Sequence, residues 1–310
     1  MIIDVHPEFG YELVCSIPYA YHLHKKNKLE KVVTCKGMKP FYYFCDNVEE
    51  KYEHRSVNNF NNGVQNLPNG WIHHNAKAVF GKDYSKLTKE QQEEANGWLD
   101  YSEWTPPPYK DVYYDKSLDL PEKYVVIQNR YNLEHGQPPL GYFDIECLYN
   151  IFNHLTENGY SVVYKRPLNT EFVRDQNELI GNNIQSEVEG HGMITDFDLC
   201  NYYENVYTID SIIKKIGKSY NESQLNIFSR ASGFISMGGG SSCFSAYFGK
   251  PVLIYVNTSG DIRPKYFEGE SYFKKLSKAP IYPVVDKLDE IKKRGYRDYT
   301  KLYKYMKEIF

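Results

Sequence analysis

The chain has 310 residues, enough for about two domains of ordinary size. Its net charge of −3 offers no bulk attraction to nucleic acid or to anionic membranes, which excludes binders that act through a basic field. Cys15, Cys35, Cys45, Cys147, Cys200 and Cys243 form no CxxC pair, which argues against a zinc ribbon or a dense disulfide framework; their apolar neighbours predict buried, reduced thiols.

In chain order, Ile2 to His6 predicts a strand, followed by a loop at Pro7-Glu8-Phe9-Gly10. Leu13, Ile17, Ala20, Tyr21 and Leu23 then recur at near-helical spacing, with Lys25, Lys26 and Lys28 suiting a helix C-terminus. Val32 to Cys35 is the next strand, so the chain opens βαβ, the unit of a parallel sheet. Asn58 to Gly70 reads as loop, and Leu87 to Leu99 as a polar helix capped by Thr88. Trp104-Thr105-Pro106-Pro107-Pro108 begins a joint, with a domain boundary expected between Pro106 and Pro121. A second βα series follows: a strand from Tyr124 to Asn129, a Gly/Pro-rich loop from Arg130 to Tyr142, and a helix from Asp144 to Glu157 stopped by Asn158-Gly159. After a strand ending at Lys165, Leu168 to Asp210 reads as two weak helices or a long excursion, and Ser223 to Ser229 as a helix. The tail from Leu288 to Phe310 predicts a helix. The expected architecture is α/β, two Rossmann-like lobes with parallel sheets facing a cleft: residues 1–115, residues 116–290, and a helix at 291–310 that crosses back to the first lobe. No apolar run reaches the ~20 residues of a membrane-spanning helix, and Met1 to His6 is too short and polar for a signal peptide, so a cytoplasmic chain without an integral membrane segment is expected.

Between the apolar strands Gly233–Ile235 and Val252–Val256 lies Ser236-Met237-Gly238-Gly239-Gly240-Ser241-Ser242, leading into a short helix. Unpaired N–H groups at a helix start carry partial positive charge, and glycines let an anion approach them. Gly238, Gly239, Gly240, Ser241 and Ser242 are therefore candidate phosphate ligands, a tight structural turn being the alternative. Arg130 leaves the C-terminal end of a parallel strand, where open α/β sheets hold their ligands, and its planar fork suits a phosphate; the alternative is a surface pair with a carboxylate such as Glu134. Lys165 and Arg166 end the next strand on the same rim and read as nucleotide or diphosphate contacts or as a solvated basic edge. His135 is a candidate donor contact in the intervening loop, and Gly10 and Tyr11 in the first loop. Glu12 is the candidate general base, alternatively a carboxylate favoured at a helix start; Glu8 and His6 are runners-up. With 30 tyrosines in the chain, Tyr11, Tyr142 and Tyr164 are possible sugar-ring contacts. Asp196-Phe197-Asp198, near Glu187, Glu189 and His191, meets a metal-binding DxD pattern that chance also supplies, and His73-His74 reads as an ordinary polar pair.

Three segments resemble glycosyltransferases of the GT-B type, more narrowly their fucosyltransferase-like branch. Glu8-Phe9-Gly10-Tyr11-Glu12-Leu13 is similar to the strand, glycine loop and helix that open those enzymes, with Gly10-Tyr11-Glu12 where the family has Gly-Asn-Gln. Gln128-Asn129-Arg130 stands where the family has His-x-Arg, so only Arg130 carries over. Gly240-Ser241-Ser242-Cys243-Phe244-Ser245-Ala246-Tyr247 is similar to a late Ser-Ser-Phe-Ser-Ala-like segment. The resemblance implies metal-independent, inverting transfer of a sugar from a nucleotide sugar (GDP-fucose-like, UDP- or dTDP-linked) on the second lobe to a glycan hydroxyl on the first, with no further cofactor. Arg130 would stabilise the leaving diphosphate and Glu12 would deprotonate the acceptor. Sugar-nucleotide epimerases, pyruvyl transferases and non-catalytic glycan or nucleotide-sugar modules share this scaffold and stay open as alternatives. The first turn, His6 to Gly10, lacks GxGxxG, which argues against an NAD-dependent enzyme.

Overall fold

A computed structural model of the chain describes residues 1–55, 67–69, 86–94, 99–131, 139, 141–166, 184–188, 192–257, 267 and 271–310. Its strands are β1 (Ile2–Asp4), β2 (Lys31–Cys35), β3 (Val48–Tyr52), β4 (Tyr124–Gln128), β5 (Ser161–Lys165), β6 (Gln185–Val188), β7 (Gly192–Thr195), β8 (Val206–Thr208), β9 (Gly233–Met237), β10 (Val252–Val256) and β11 (Ile281–Val285). The α-helices are α1 (Phe9–Tyr11), α2 (Ile17–Lys25), α3 (Lys89–Glu94), α4 (Tyr109–Val112), α5 (Ile145–Glu157), α6 (Asp196–Asn201), α7 (Ile209–Ile216), α8 (Tyr220–Arg230), α9 (Gly240–Ser245), α10 (Tyr272–Ser277), α11 (Leu288–Arg294) and α12 (Thr300–Ile309). A π-helical segment, Glu12–Ser16, joins α1 to α2.

Two parallel sheets result. The first is β1-β2-β3 and the second β11-β10-β9-β4-β5-β8. Renumbered along the chain, the six strands of the second sheet stand in the doubly wound order 3-2-1-4-5-6, with all pairings parallel. The order reverses between β4 and β9, and the crevice beyond the C-terminal ends of those two strands is where such a sheet can admit a ligand. Of Leu168 to Asp210, expected as two weak helices or a long excursion, residues 184–188 and 192–210 are described and hold the antiparallel β6–β7 pair, the short helix α6, strand β8 and the start of α7. The polar helix capped by Thr88 forms as α3: Gln91 N–H donates to Thr88 Oγ1 at 3.2 Å while Thr88 N–H donates to Gln91 Oε1.

Strands β4, β9 and β10 are buried along their whole length, as expected of strands covered on both faces. Their side chains divide by alternation. Val126, Phe234, Val252 and Ile254 join Ile3, Val5, Leu13 and Ile17 in one core, so the apolar interior runs unbroken from the first sheet into one face of the second. Val125, Ile127, Ile235, Leu253 and Tyr255 pack on the opposite face with Leu148, Ile151, Leu302 and Met306. The last two belong to α12. The tail therefore does not cross back to the first sheet; its apolar stripe follows the far face of the second. Phe310 closes it, its ring lying where a Cβ on Gly233 would be 2.5 Å away.

The Pro-rich joint is pinned to the N-terminal helices. Trp104 Nε1 donates to Val14 O at 2.7 Å, Thr105 N–H to Pro18 O at 3.1 Å, and Tyr109 OH to Phe41 O at 2.7 Å. All six cysteines are buried. Among the described residues no helix is long and apolar enough to cross a membrane.

Candidate functional site

Arg130 stands two residues beyond β4, and Gly239 two residues beyond β9, at the switch point of the second sheet. The arginine is seated by glycines. Its Nε donates to Gly141 O at 3.1 Å. A Cβ on Gly141 would fall 2.5 Å from Arg130 Nη2, so only glycine leaves room for the guanidinium there. On the other side, a Cβ on Gly239 would fall 3.1 Å from Nη1. Gly239 has φ 109° and ψ −158°, backbone geometry that essentially requires glycine. The arginine and the glycine loop, 109 residues apart in sequence (239 − 130), are thus brought into contact.

The next glycine meets the first sheet's loop. A Cβ on Gly240 would lie 3.0 Å from Gly10 N, and one on Gly10 would lie 3.2 Å from Gly240 Cα. Side chains at either position would push the two loops apart. Gly238 does a different job from the one expected. Its N–H pairs with Tyr255 O at 2.9 Å, and a Cβ would strike Val256 at 2.9 Å, so it extends the sheet and packs against β10. Ser242 is buried, with its hydroxyl turned back onto Gly239 O at 2.7 Å. Ser241 stays partly exposed beside Gly239 and Gly240.

Beneath the loop lies a polar fixture that sequence reading missed. Gln128, buried at the end of β4, donates through Nε2 to Ser241 O at 2.9 Å and to Ser245 Oγ at 2.5 Å. Lys165 donates to Gln128 Oε1 at 3.4 Å, and its ammonium lies over the rings of Phe228 (5.5 Å) and Phe244 (5.7 Å). At 6% exposure Lys165 is inside the protein; neither a solvated rim nor an open ligand contact describes it.

Arg166 is also corrected. It is 2% exposed and paired with Asp196, Nε to Oδ2 at 2.5 Å and Nη2 to Oδ1 at 3.0 Å, with its guanidinium 4.5 Å from the Phe197 ring. Asp196 also accepts from Tyr164 OH at 2.7 Å, which in turn accepts from Asn129 Nδ2 at 3.0 Å. Burial, with Asp196 beside it, holds the Tyr164 phenol well above its usual pKa, so it remains a donor there. Tyr164 is a core residue and does not line a sugar site. Asp198 completes a capping box with Thr195 at the start of α6, and those hydrogen bonds lower its pKa. The DxD triplet is thus an ion-pair partner followed by a helix cap. No cluster of three or more His, Cys, Asp or Glu suited to a metal occurs among the described residues.

Glu12 does not fit the role of general base. Its carboxylate is fully buried: Oε1 accepts from Thr34 Oγ1 at 2.5 Å and Tyr42 OH at 2.8 Å, and Oε2 pairs with Arg55 Nη1 at 2.5 Å. A base must reach the acceptor hydroxyl within hydrogen-bonding distance, and this carboxylate has no exposed surface with which to do so. Arg55 Nη1 also donates to Pro7 O at 3.0 Å and its guanidinium stacks 5.1 Å from the Phe9 ring, so the ion pair braces the loop that carries Gly10. Tyr11 is a buried core residue that donates to Asn69 O at 3.0 Å, and that burial raises its phenol pKa. His6 stacks on Tyr52 with ring centroids 4.2 Å apart. Tyr142 lies on the rim, with the Arg297 guanidinium 4.2 Å from its ring and Tyr131 edge-on at 5.0 Å. His73, His74 and His135 lie outside the described residues, as does most of Asn58 to Gly70.

Fold and rim together define a doubly wound α/β protein with an arginine seated against a glycine turn at its switch point. No protein-family model and no curated protein matches the chain. Among solved structures it is similar to the bacterial iron-containing dodecameric glycosyltransferase TibC from enterotoxigenic E. coli H10407, at TM-score 0.41 and 14% identity over 82% of this chain and 59% of that one. It is likewise similar to the dodecameric heptosyltransferase TibC in complex with ADP-D-β-D-heptose, at TM-score 0.42 and 15% identity over 83% and 58%. A third structure, a family 9 glycosyl transferase from Veillonella parvula DSM 2008, gives TM-score 0.43 and 11% identity over 100% and 89%. The chain spans less than two thirds of the length of the TibC chains.

Proposed function

We propose that the chain is a glycosyltransferase that takes a nucleoside-diphosphate sugar as donor and a glycan hydroxyl as acceptor. The observation that carries this reading is the Arg130 guanidinium held between Gly141 and Gly239 at the switch point of a doubly wound sheet. In the reaction the bond between the sugar's anomeric carbon and the diphosphate oxygen breaks, and the electron pair leaves with the diphosphate. The acceptor oxygen bonds to the anomeric carbon, and its proton passes to solvent water. Charge therefore accumulates on the leaving diphosphate, and a fixed guanidinium beside glycine backbone stabilises it without reorganising. Arg130, Gly239, Gly240 and Ser241 are the residues proposed to hold it, with Gly10 bringing the acceptor-side loop against them. Because the arginine supplies the countercharge, turnover should survive EDTA. Of nucleotide donors, GDP-fucose-like ones are suggested by the family resemblance alone.

The test is thermal stabilisation by UDP, GDP, dTDP and ADP, followed by calorimetric titration with the best of them. Saturating ligand at 100 times its Kd should stabilise the fold by about 2.7 kcal/mol. Arg130→Ala should weaken binding roughly 10- to 100-fold, the worth of a charge-assisted hydrogen bond. Stabilisation by none of the four would defeat the proposal.

A further inference from the structure

We infer that Lys165 is a positioning residue for the glycine loop, acting through Gln128 and making no contact with the ligand itself; this rests on the reading of that loop as the diphosphate seat. An amide side chain has one donor end and one acceptor end; a reversed amide would present the wrong group to the Lys165 ammonium and to the Ser241 carbonyl, while the Ser245 hydroxyl can pair with either end. Here the ammonium of Lys165 faces Gln128 Oε1 at 3.4 Å. With the oxygen turned toward that charge, the Nε2 hydrogens are directed to Ser241 O at 2.9 Å and Ser245 Oγ at 2.5 Å. A flipped Gln128 would set its NH2 against an ammonium and its oxygen against the Ser241 carbonyl, two repulsions inside the protein. The charge on Lys165 thus fixes the polarity of Gln128, and Gln128 fixes the first turn of α9.

The surroundings of the ammonium explain why it stays there. Phe228 and Phe244 offer their ring faces at 5.5 and 5.7 Å, a favourable seat for a cation withdrawn from water. Phe244 belongs to α9 itself, so the ammonium touches the loop's helix from the sheet side both directly and through Gln128. Asp210, near the start of α7, has its pKa raised by partial burial, with the charges of Lys214 and then Lys165 acting against that rise. The wild-type pair places donor, acceptor and charge in a line from β5 through β4 to the turn after β9.

A double-mutant cycle tests this. Lys165→Met, Gln128→Leu and the double variant are titrated with the best of UDP, GDP, dTDP and ADP, at a temperature where circular dichroism shows each to be folded. The first two should each weaken binding about tenfold. The double variant should be no weaker than Gln128→Leu alone, because both changes cut one tether. Melting temperatures are recorded beside the affinities: a residue that only supports the core would lower melting and leave Kd unchanged, and that result overturns the inference, as do multiplicative losses. Lys165→Gln, which removes the charge but keeps a donor, covers the case in which Lys165→Met does not fold and should retain part of the affinity. If the wild-type chain binds none of the four nucleotides, the proposed function fails, and the tether is read by hydrogen exchange in the peptide from Ser236 to Phe248. Faster exchange in both single variants, with no further rise in the double, supports it; unchanged exchange defeats it.

Discussion

At the scale of single residues, the same charge types serve opposite ends, and burial decides which. Arg130 lies at the sheet rim between two glycines, and Arg166 and Arg55 pair with Asp196 and Glu12 in the interior. Removing one partner from a buried ion pair leaves an uncompensated charge, which costs about 3–5 kcal/mol. Glu12→Gln should therefore lower the melting temperature sharply, with Arg55 left facing an amide; a variant that melts like the wild type would contradict the buried-pair role. At the rim the expectation is reversed. Arg130→Lys should keep the fold and still lose nucleotide affinity, since an ammonium cannot reproduce the planar fork. Gly239→Ala should hurt both, because its backbone conformation costs a non-glycine residue about 1–3 kcal/mol and the new methyl would meet Arg130 Nη1 at 3.1 Å. Melting curves and nucleotide titration of the three variants separate these outcomes.

At the scale of elements, alternation and capping made most strands and helices readable. β4, β9 and β10 are short apolar runs, and α5 forms where its helical spacing predicts, with the Asp144 side chain accepting from Cys147 N–H at 2.9 Å at its start. The hairpin β6–β7 and the strand β3 were not legible. Their residues are mostly exposed and charged or polar, so no period-two apolar signal exists to read. The tail helix was readable as a helix but not in its destination. Its stripe of Leu302 and Met306 fits any apolar surface; only the tertiary contacts place it against the far side of the second sheet. Phe310 and Gly233 form its lock. Gly233→Ala would force the ring out and should destabilise the protein by about 1–3 kcal/mol, the usual range for overpacking. Proteolysis near the C-terminus should quicken in that variant, and resistance equal to wild type would show the contact to be dispensable.

At the scale of the whole molecule, two parallel sheets share one apolar interior, and α1, after the first strand, touches the start of α9 at Gly10 and Gly240. Expectation and structure agree on the parallel βα series, and the structure sets Arg130 beside Gly239. They part over Glu12, Tyr11, Lys165 and Arg166, all of which sit inside. The thiols give a test of the interior as a whole. Burial pushes Cys200 up to about 12 and also raises Cys15 and Cys147 above the usual thiol value, so little thiolate of these three exists at neutral pH. A thiol reagent should label none of the six cysteines quickly in the native protein and all six once it is denatured; fast labelling of any one would mark an opening in the core.

By itself the sequence determined the parallel βα frame, the buried thiols and the glycine turn, because each is written in local periodicity or in the conformational needs of one residue. Which charged groups reach a ligand was decided only by the tertiary structure. Glu12 finds Arg55 at a separation of 43 residues, and Arg166 finds Asp196 at 30. An ion pair depends on distance in space, and no local pattern records which distant partner the folded chain brings within 3 Å.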